Sequence, residues 1–427
     1  LGNLLKGNFN AEDFIGLINN KNIVINFLTV ILSFLVIGVQ LFEGGNLTEE
    51  YALPAIAFFG YVFLKFLKTG KCTKWETFGA GFAFMAVCLI RINMTGFWIM
   101  GLPIIAGILI YKKHFKQLFS YLLWFSLGAL VIFLPCLVYL LLTNSFMDML
   151  KYYFIFNFEY AKNYDNGGLL SINQFKSILF FIELIWPVSL AVIIFTFGWL
   201  RKIFNKVLKK QHIQLDQTGA MRLVCLLIFC FAFLLATMSA KNFLHYIIVL
   251  IPFFAIFLQY LLIQINQCLE RILGWQIPKD PELDYSPRGI SILFSLFLLI
   301  TANLYILPNT LVEMPPDAAT DYLRKYTNPK DNVLILGNAC YGYLNSGRVY
   351  SGKYFYQTPP INVSEHTWEE FMEDFKKNNP EVILIPYDKY NDTTRIASYL
   401  DTETAHGNYH KEVLGPTETP LKVYRRK

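Results

Sequence analysis

The chain has 427 residues, of which 55% are hydrophobic and 16% are charged. A typical soluble domain carries about 25% charged residues, so this composition excludes an ordinary soluble globular protein. Apolar runs of about 20 residues recur along the chain, which is the length needed to cross the hydrocarbon core of a bilayer. The lysines and arginines behind the net charge of +6 cluster in short loops between these runs, a pattern typical of membrane orientation and not of nucleic-acid binding.

The apolar runs predict an α-helical polytopic membrane domain with about nine transmembrane helices over residues 23–308. The predicted spans are, roughly, 23–42, 52–69, 76–91, 97–111, 119–142, 178–200, 221–239, 246–264 and 289–308. The third and fourth spans are short, so they are either two tilted helices or one interrupted pair. Residues 1–22 resemble neither a signal peptide nor a complete helix, and we expect them to be a cytoplasmic segment of a chain that lacks its natural N-terminus.

Basic residues set the predicted orientation in the membrane. Three loops between spans carry clusters of lysine and arginine, at residues 65–74, 112–116 and 201–210. The positive-inside rule makes these loops cytoplasmic, which places residues 43–51, 143–177 and 240–245 outside. The sequence therefore predicts a multi-pass protein of the cell membrane with an extracytoplasmic C-terminal region.

The composition changes after residue 309, where charged residues and prolines become frequent. The segments AATDYLRKY, EEFMEDFKKNN and RIASYLDTE predict helices, and DNVLILG, EVILIPY and LKVYRR predict strands. Alternating strands and helices are typical of an α/β domain with a mainly parallel sheet. We therefore expect a small extracytoplasmic α/β domain over residues 309–427, with LKVYRR as an edge strand.

Two adjacent carboxylates, Glu49 and Glu50, lie at the outer start of the second predicted span. One interpretation is structural, with Thr48 as the N-cap and both carboxylates favoured in the first turn by the helix dipole. The other is functional, with a carboxylate acting as a general base or as a ligand for a substrate or cation. The sequence leaves both interpretations open.

Basic and polar residues also occur at the outer ends of other spans. Arg91 and Asn93 interrupt an apolar run on the side where the positive-inside rule disfavours a basic residue. A snorkelling arginine explains this position less well than an anionic partner, either a protein carboxylate or a phosphate. Lys241, His245 and Tyr246 either form an interfacial belt or contribute to phosphate binding at the start of the eighth span.

Five segments carry a resemblance to a known family: GGNLTEEYALP, LIRINMTGFW, FNFEYA, KNFLHY and SGRVYSGKYFYQTP. Their order and predicted membrane side resemble those of bacterial membrane glycosyltransferases of the GT-C superfamily. The branch is the one similar to dolichyl-phosphate-mannose protein mannosyltransferases and lipid A aminoarabinose transferases, glycosyltransferase family 39. The resemblance covers nearly the whole chain. It implies transfer of a sugar from a polyprenyl-phosphate carrier to a cell-envelope glycan, lipid or protein on the outer face of the membrane.

The resemblance also implies roles for the residues singled out above. An acidic residue at the outer start of a helix maps onto Glu49 or Glu50, and a divalent cation, Mg²⁺ or Mn²⁺, is compatible with such a site although none is required. Basic residues around the lipid phosphate map onto Arg91, Lys241 and His245. We expect Asn93 and Tyr246, beside them in sequence, to contribute to substrate binding as well. The family's principal acidic residue lies in the first outer loop, which we expect this chain to lack. Glu49 and Glu50 would then be a secondary acidic site, and the fragment alone would be inactive.

Two other classes of function are compatible with the composition. A transporter or flippase of a lipid-linked anion would need polar residues near the bilayer midplane and broken helices related by internal repeats. In this sequence the polar residues gather at the outer ends of the spans, and there is no internal repeat. The third class is a non-catalytic assembly subunit of a cell-envelope complex, whose outer domain would bind a partner protein.

Overall fold

The computed structural model describes residues 47–156, 159, 171–208, 217–238, 242–273, 318–337, 341–350, 352–353, 360–362, 364–387, 393–416 and 420–427. The described part is mostly helical and divides into two compact units. The first unit comprises residues 1–151 and 167–306, and the second comprises residues 152–166 and 307–427. The second unit thus includes a segment that is distant in sequence from the rest of it.

The described part of the first unit is helical throughout. Its helices are α1 (Thr48–Thr69), α2 (Lys74–Ile90), α3 (Gly96–Tyr111), α4 (Phe115–Leu142), α5 (Phe146–Met149), α6 (Ile172–Leu184), α7 (Trp186–Leu208), α8 (Gln217–Ala236) and α9 (Ile251–Leu273). Short 3₁₀ helices, Ile92–Thr95 and Leu244–Leu250, precede α3 and α9. A π-helical segment, Leu150–Ile155, follows α5.

Several of these helices are long and apolar enough to cross a membrane. The described residues contain four such segments: Thr48–Thr69, Ile92–Tyr111, Phe115–Leu142 and Leu244–Ile265. The bent pair formed by α6 and α7 is a fifth candidate. The predicted membrane character is thereby supported, but the spans 23–42 and 289–308 lie outside the described residues. The total of nine spans and the orientation therefore stay predictions.

The predicted span over residues 178–200 is not one continuous helix. α6 ends at Leu184, α7 begins at Trp186, and the two axes differ by 97°. Pro187 suits the first turn of α7, where its missing N–H would have no intrahelical partner in any case. The Ser189 hydroxyl donates to the carbonyl oxygen of Ile182 at 2.8 Å. A side chain thus satisfies a backbone group at the break, as a low-dielectric environment requires.

Aromatic side chains form the core where α1, α2, α3 and α9 meet. Trp98 of α3 is fully buried and stacks on Phe59 of α1, with ring centroids 4.9 Å apart. Its indole Nε1–H donates to the carbonyl oxygen of Ala80 in α2 at 3.3 Å. Phe97 meets Phe253 of α9 at 4.8 Å between ring centroids. The buried indole N–H therefore has a partner, and the aromatic contacts join four segments.

Two glycines allow α2 and α4 to cross in backbone contact. A Cβ atom on Gly81 of α2 would lie 1.9 Å from the carbonyl oxygen of Phe125. A Cβ atom on Gly128 of α4 would lie 1.9 Å from the carbonyl oxygen of Phe78. In lipid, helices associate largely through close packing at small residues, so these two glycines fix the crossing point.

The described elements of the second unit form a mixed α/β structure. They are α10 (Ala318–Tyr326), β1 (Val333–Ile335), α11 (Tyr341–Ser346), a 3₁₀ turn (Pro360–Asn362), α12 (Glu365–Asn378), β2 (Val382–Ile385), α13 (Thr394–Ala405), β3 (Tyr409–Leu414) and β4 (Leu421–Arg426). The three predicted helices and three predicted strands are all present. β1 and β2 are fully buried, which explains their continuous apolar sequences.

The prediction of a mainly parallel sheet is wrong. The described strands lie in the order β1-β2-β4-β3, and only β1 and β2 are parallel. β4, the segment LKVYRR, is not an edge strand because it lies between β2 and β3. The strand missing from the prediction is β3, YHKEVL, which lacks an apolar run and has half of its residues exposed. β3 and β4 form an antiparallel pair, with Tyr409 opposite Arg426.

The side chain of Tyr152 contacts other residues of the second unit. Its hydroxyl donates to Oε1 of Glu370 in α12 at 2.6 Å. The ammonium group of Lys353 lies 2.7 Å from the same oxygen and 4.9 Å from the centre of the Tyr152 ring. Burial alone would lower the pKa of Lys353, but the bonds to Glu370 and Tyr152 outweigh this effect and raise it.

Asp401 connects α13 to the β3–β4 hairpin. Its Oδ1 accepts hydrogen bonds from Nζ of Lys411 at 2.7 Å and from the Tyr424 hydroxyl at 2.8 Å. Burial would raise the pKa of Asp401, but these two bonds dominate and hold it below the ordinary value of 3.8. The ionised carboxylate therefore stabilises the packing of the helix on the hairpin.

Gly81→Ala is expected to destabilise the first unit by about 1–3 kcal/mol, because the new methyl group overlaps the backbone of α4. Thermal unfolding of the full chain in detergent micelles measures the loss. Gly107→Ala in α3 is the matched control, since a Cβ there meets nothing within 4 Å. Equal losses in the two variants would contradict a backbone crossing at Gly81.

Asp401→Asn is expected to reduce hydrogen-exchange protection of the β3–β4 hairpin at pH 7. A carboxylate with a lowered folded pKa stabilises the fold above its unfolded pKa, and this contribution is lost as the pH falls through the folded value. The difference between wild type and Asp401→Asn should therefore shrink below the unfolded value of 3.8. A difference of constant size from pH 7 down to the acid limit would refute this linkage.

Candidate functional site

The ends of four segments of the first unit lie together: the start of α1, the end of α2 and the two 3₁₀ helices. Arg91 ends α2 in an extended conformation, with φ −166° and ψ 117°, and its N–H donates to the carbonyl oxygen of Val87 at 2.8 Å. The chain then turns through Ile92–Thr95, where the Thr95 hydroxyl donates to the carbonyl oxygen of Ile92 at 2.6 Å. The local structure thus places Arg91 at a break between two helices.

Arg91 connects two other segments at this end of the unit. Its Nη1 donates to Oε1 of Glu49 at 2.7 Å, and its Nη2 donates to the Tyr246 hydroxyl at 3.2 Å. The guanidinium carbon also lies 4.7 Å from the centre of the Tyr246 ring. The Thr48 hydroxyl donates to the second oxygen of Glu49 at 2.9 Å. We call these four residues the Arg91 cluster.

The two charges of the Arg91 cluster differ in burial. The Glu49 side chain is 3% exposed, whereas the Arg91 side chain is 35% exposed. A carboxylate buried to this extent is costly to hold without a cationic partner, and Arg91 supplies one. Arg91 is therefore not merely a snorkelling side chain: one edge of its guanidinium binds a protein carboxylate while part of the side chain remains accessible.

The structural interpretation of the two glutamates is correct in part. Both lie in the first turn of α1, as expected. Thr48 is not the N-cap, however: the N-cap is Leu47, which makes no side-chain capping bond, and Thr48 is already helical. Its hydroxyl binds Glu49 instead. Glu50 is half-buried, and the partner of Arg91 is Glu49.

The other predicted site residues are only partly brought together. His245 packs against Phe243, with ring centroids 5.6 Å apart, and meets the Tyr246 ring at 4.8 Å, so it borders the Arg91 cluster. Asn93 is half-buried, and its Oδ1 has no hydrogen-bond partner among the described residues. Lys241 lies outside the described residues, so its predicted place beside His245 stays a prediction.

Uncharged polar residues that the sequence analysis missed support this end of the unit. The Ser177 hydroxyl of α6 donates to Oδ1 of Asn242 at 2.7 Å. Nε2 of Gln174 donates to the carbonyl oxygen of Leu234 in α8 at 2.8 Å. Gln174 and Ser177 are almost completely buried. They fix α6 against the segment that leads into Tyr246. Their sequence signal is weak, because α6 contains other polar residues such as Asn173 and Lys176.

The described residues do not fit a divalent cation. Among them, no three histidine, cysteine, aspartate or glutamate side chains are grouped closely enough to hold a metal ion. The charge of Glu49 is already balanced by Arg91. No step of the chemistry below is therefore assigned to Mg²⁺ or Mn²⁺.

The Arg91 cluster has the chemistry of an anion site. A guanidinium has five N–H donors. Glu49 and Tyr246 occupy one each, and the others are available at the accessible edge of the side chain. A bound phosphate would therefore meet a cation that two neighbours already hold in place, which reduces the entropy lost on binding.

Comparisons with protein-family models, with curated proteins and with solved structures found no significant match to this chain. The geometry of the Arg91 cluster and the resemblance described above are therefore the two sources for the functional proposal.

Arg91→Met is expected to cost about 3 kcal/mol of unfolding free energy, because it leaves the buried Glu49 carboxylate without a partner. Glu49→Gln should cost less, since the accessible Arg91 can be solvated. A double-mutant cycle measured by denaturant unfolding in mixed micelles gives the coupling energy.

The control cycle uses Lys65 and Glu76, an ion pair with an N–O distance of 2.5 Å and side chains 31% and 17% exposed. Its coupling should be at most about 1 kcal/mol, as for other solvent-accessible pairs. Coupling at Glu49–Arg91 no larger than this would show that the buried pair does not organise the helix ends.

Proposed function

We propose that this protein is a membrane glycosyltransferase that moves a sugar from a polyprenyl-phosphate carrier to a cell-envelope acceptor on the outer face of the membrane. The observation that carries the proposal is the Arg91 cluster, which holds an accessible guanidinium at one end of the apolar helices. A carrier phosphate lies at the same depth as such a helix end, while its polyprenyl chain lies in the hydrocarbon. The resemblance to the GT-C superfamily supports the same reaction class.

The proposed reaction needs a cation and a base. The bond between the anomeric carbon of the sugar and the carrier phosphate breaks, and its electron pair stays on the phosphate. The acceptor hydroxyl bonds to the anomeric carbon and loses its proton to a carboxylate. Arg91 stabilises the charge that grows on the leaving phosphate, which is an electrostatic contribution of the kind that dominates many enzymatic reactions.

The geometry assigns different proposed roles to the two glutamates. Glu49 is buried and bound to Arg91 and Thr48, so it is a positioning residue that orients the guanidinium. Its low accessibility makes it a poor base for an acceptor hydroxyl. Glu50, the adjacent half-buried carboxylate, is the proposed base. His245 and Tyr246 line the same end, and Asn93 with its unbonded Oδ1 is a further candidate for a sugar hydroxyl.

A transporter or flippase of a lipid-linked anion is the second candidate. The 97° break between α6 and α7 favours it, because interrupted helices line substrate paths in many transporters. It shares the phosphate-binding role of Arg91 and differs in leaving the sugar–phosphate bond intact. The two candidates are therefore separated by whether the bond breaks.

The test uses the full-length protein, including any residues that precede Leu1, reconstituted in nanodiscs. Native mass spectrometry should detect bound C55 polyprenyl phosphate on the wild type, and Arg91→Gln should weaken this binding by about tenfold or more through loss of a charge-assisted bond. Sugar transfer is then assayed with polyprenyl-phosphate-hexose donors and a mixture of cell-envelope acceptors. Glu50→Gln should retain binding and abolish transfer.

Lys65→Gln is the matched control, because it removes a basic residue of α1 that belongs to another ion pair. Equal binding of polyprenyl phosphate by the wild type and by Arg91→Gln would reject the site. Movement of a fluorescent polyprenyl-phosphate-sugar across proteoliposomes with no bond cleavage would replace the transferase with the transporter.

A further inference from the structure

A second arginine, Arg222, lies near the start of α8. That helix ends at Ala236, 14 residues later, which corresponds to about 21 Å along the axis. The far end of α8 is the one that approaches the Arg91 cluster, since a Cβ on Gly96 would lie 3.3 Å from the Cα of Ala232. Arg222 therefore occupies the opposite end of the helices, away from the proposed transferase site.

Among the described residues, the surroundings of Arg222 are aromatic and include no counter-charge. Only 8% of the residue is exposed. Its guanidinium carbon lies 4.8 Å from the ring centre of Tyr260 in α9 and 5.5 Å from that of Phe195 in α7. Its Nε is buried without a hydrogen-bond partner, and no described carboxylate forms an ion pair with it.

This environment leaves a charge incompletely compensated. A guanidinium in a protein cannot lose its proton to relieve the cost of burial. Two cation–π contacts offset only part of the cost of desolvating an unpaired ion. An arginine near a helix end usually extends to the membrane surface, but Arg222 stays enclosed by α7, α8 and α9. The component that the described residues do not supply is an anion.

Gly198 of α7 lets the Tyr260 hydroxyl approach α7 at the same place. A Cβ on Gly198 would lie 2.8 Å from the Tyr260 hydroxyl oxygen and 3.8 Å from Nη1 of Arg222. Any larger residue would therefore collide with the Tyr260 hydroxyl beside Arg222. The absent side chain lets a hydroxyl donor and a guanidinium donor approach one point between three helices.

We propose that Arg222 and Tyr260, which meet beside Gly198, form an anion-binding site for a phosphate group at the end of the helices opposite the Arg91 cluster. The planar guanidinium can donate hydrogen bonds to two oxygens of a phosphate, and the Tyr260 hydroxyl can donate a third. The phosphate belongs either to a phospholipid headgroup or to a free phosphate ion. A phosphate bound at this site would hold α7, α8 and α9 together. Its binding does not depend on the proposed transferase activity.

The experiment measures phosphate binding by the full chain in two arms. In the first, native mass spectrometry counts phosphatidylglycerol retained after release from nanodiscs. In the second, the protein in lipid-free detergent is titrated with inorganic phosphate, and the thermal midpoint is recorded. Retention of phosphatidylglycerol in the first arm alone identifies a lipid headgroup as the ligand. A rise of the thermal midpoint in the second arm shows that free phosphate is sufficient. Either result supports the site.

Arg222→Gln should weaken phosphate binding in the responding arm by about tenfold or more, which corresponds to the loss of a charge-assisted hydrogen bond. Arg222→Lys keeps the positive charge, so we expect this variant to fold. It lacks the planar pair of donors, so it should still weaken phosphate binding. Arg201→Gln removes an exposed arginine from the same helix as Gly198 and should behave as wild type. Equal responses of the wild type and Arg222→Lys in both arms would overturn the proposal.

Discussion

The buried ion pair between Glu49 and Arg91 is the constraint on which the arrangement of the first unit depends. Apolar and aromatic contacts such as those around Trp98 are largely non-directional, and in lipid they provide no hydrophobic force between helices. A carboxylate with 3% exposure, in contrast, is tolerated only where a cation meets it. The start of α1, the end of α2 and the segment before α9 must therefore come together before the cost of burying Glu49 is offset.

Much of this fold follows from local sequence patterns, because local patterns report on local structure. The apolar runs of α1, α3 and α4 are long enough to identify each helix. The break before α7 has no comparable signal, since the apolar character continues across it and only Pro187 marks the place. The direction and edge of the sheet were mispredicted for a related reason: β3 has three polar residues in succession, His410, Lys411 and Glu412, and the pairing of β4 with β2 is a non-local contact.

The candidate site was predictable as a set of residue types but not as a set of contacts. An arginine and two glutamates stood out because charges at these places are unusual in membrane segments. Which glutamate meets Arg91 is decided by geometry, since successive side chains on a helix point about 100° apart. Arg222 was overlooked because an arginine near the predicted cytoplasmic end of a span is ordinary in sequence. Its enclosure by aromatic rings becomes evident only when α7 and α9 are in place.

The two arginines illustrate different ways of stabilising a cation at a membrane boundary. Arg91 is neutralised by Glu49 and stays accessible, so the phosphate that we propose there would not be needed for the fold. Arg222 is enclosed, and the described groups beside it are aromatic faces, so the proposed phosphate would complete the local charge balance. The first arrangement suits a substrate that arrives and leaves. The second suits a ligand that stays.

The hydrogen bond from Tyr152 to Glu370 has a consequence for biogenesis, because 218 residues separate the two partners. At synthesis rates of about 5–20 residues per second, the ribosome needs roughly 10–40 s to travel between them. The helices from α6 to α9 are synthesised during this interval, before Glu370 is present to accept the hydrogen bond from Tyr152. The second unit therefore closes late, because its segment around Tyr152 is synthesised long before the rest.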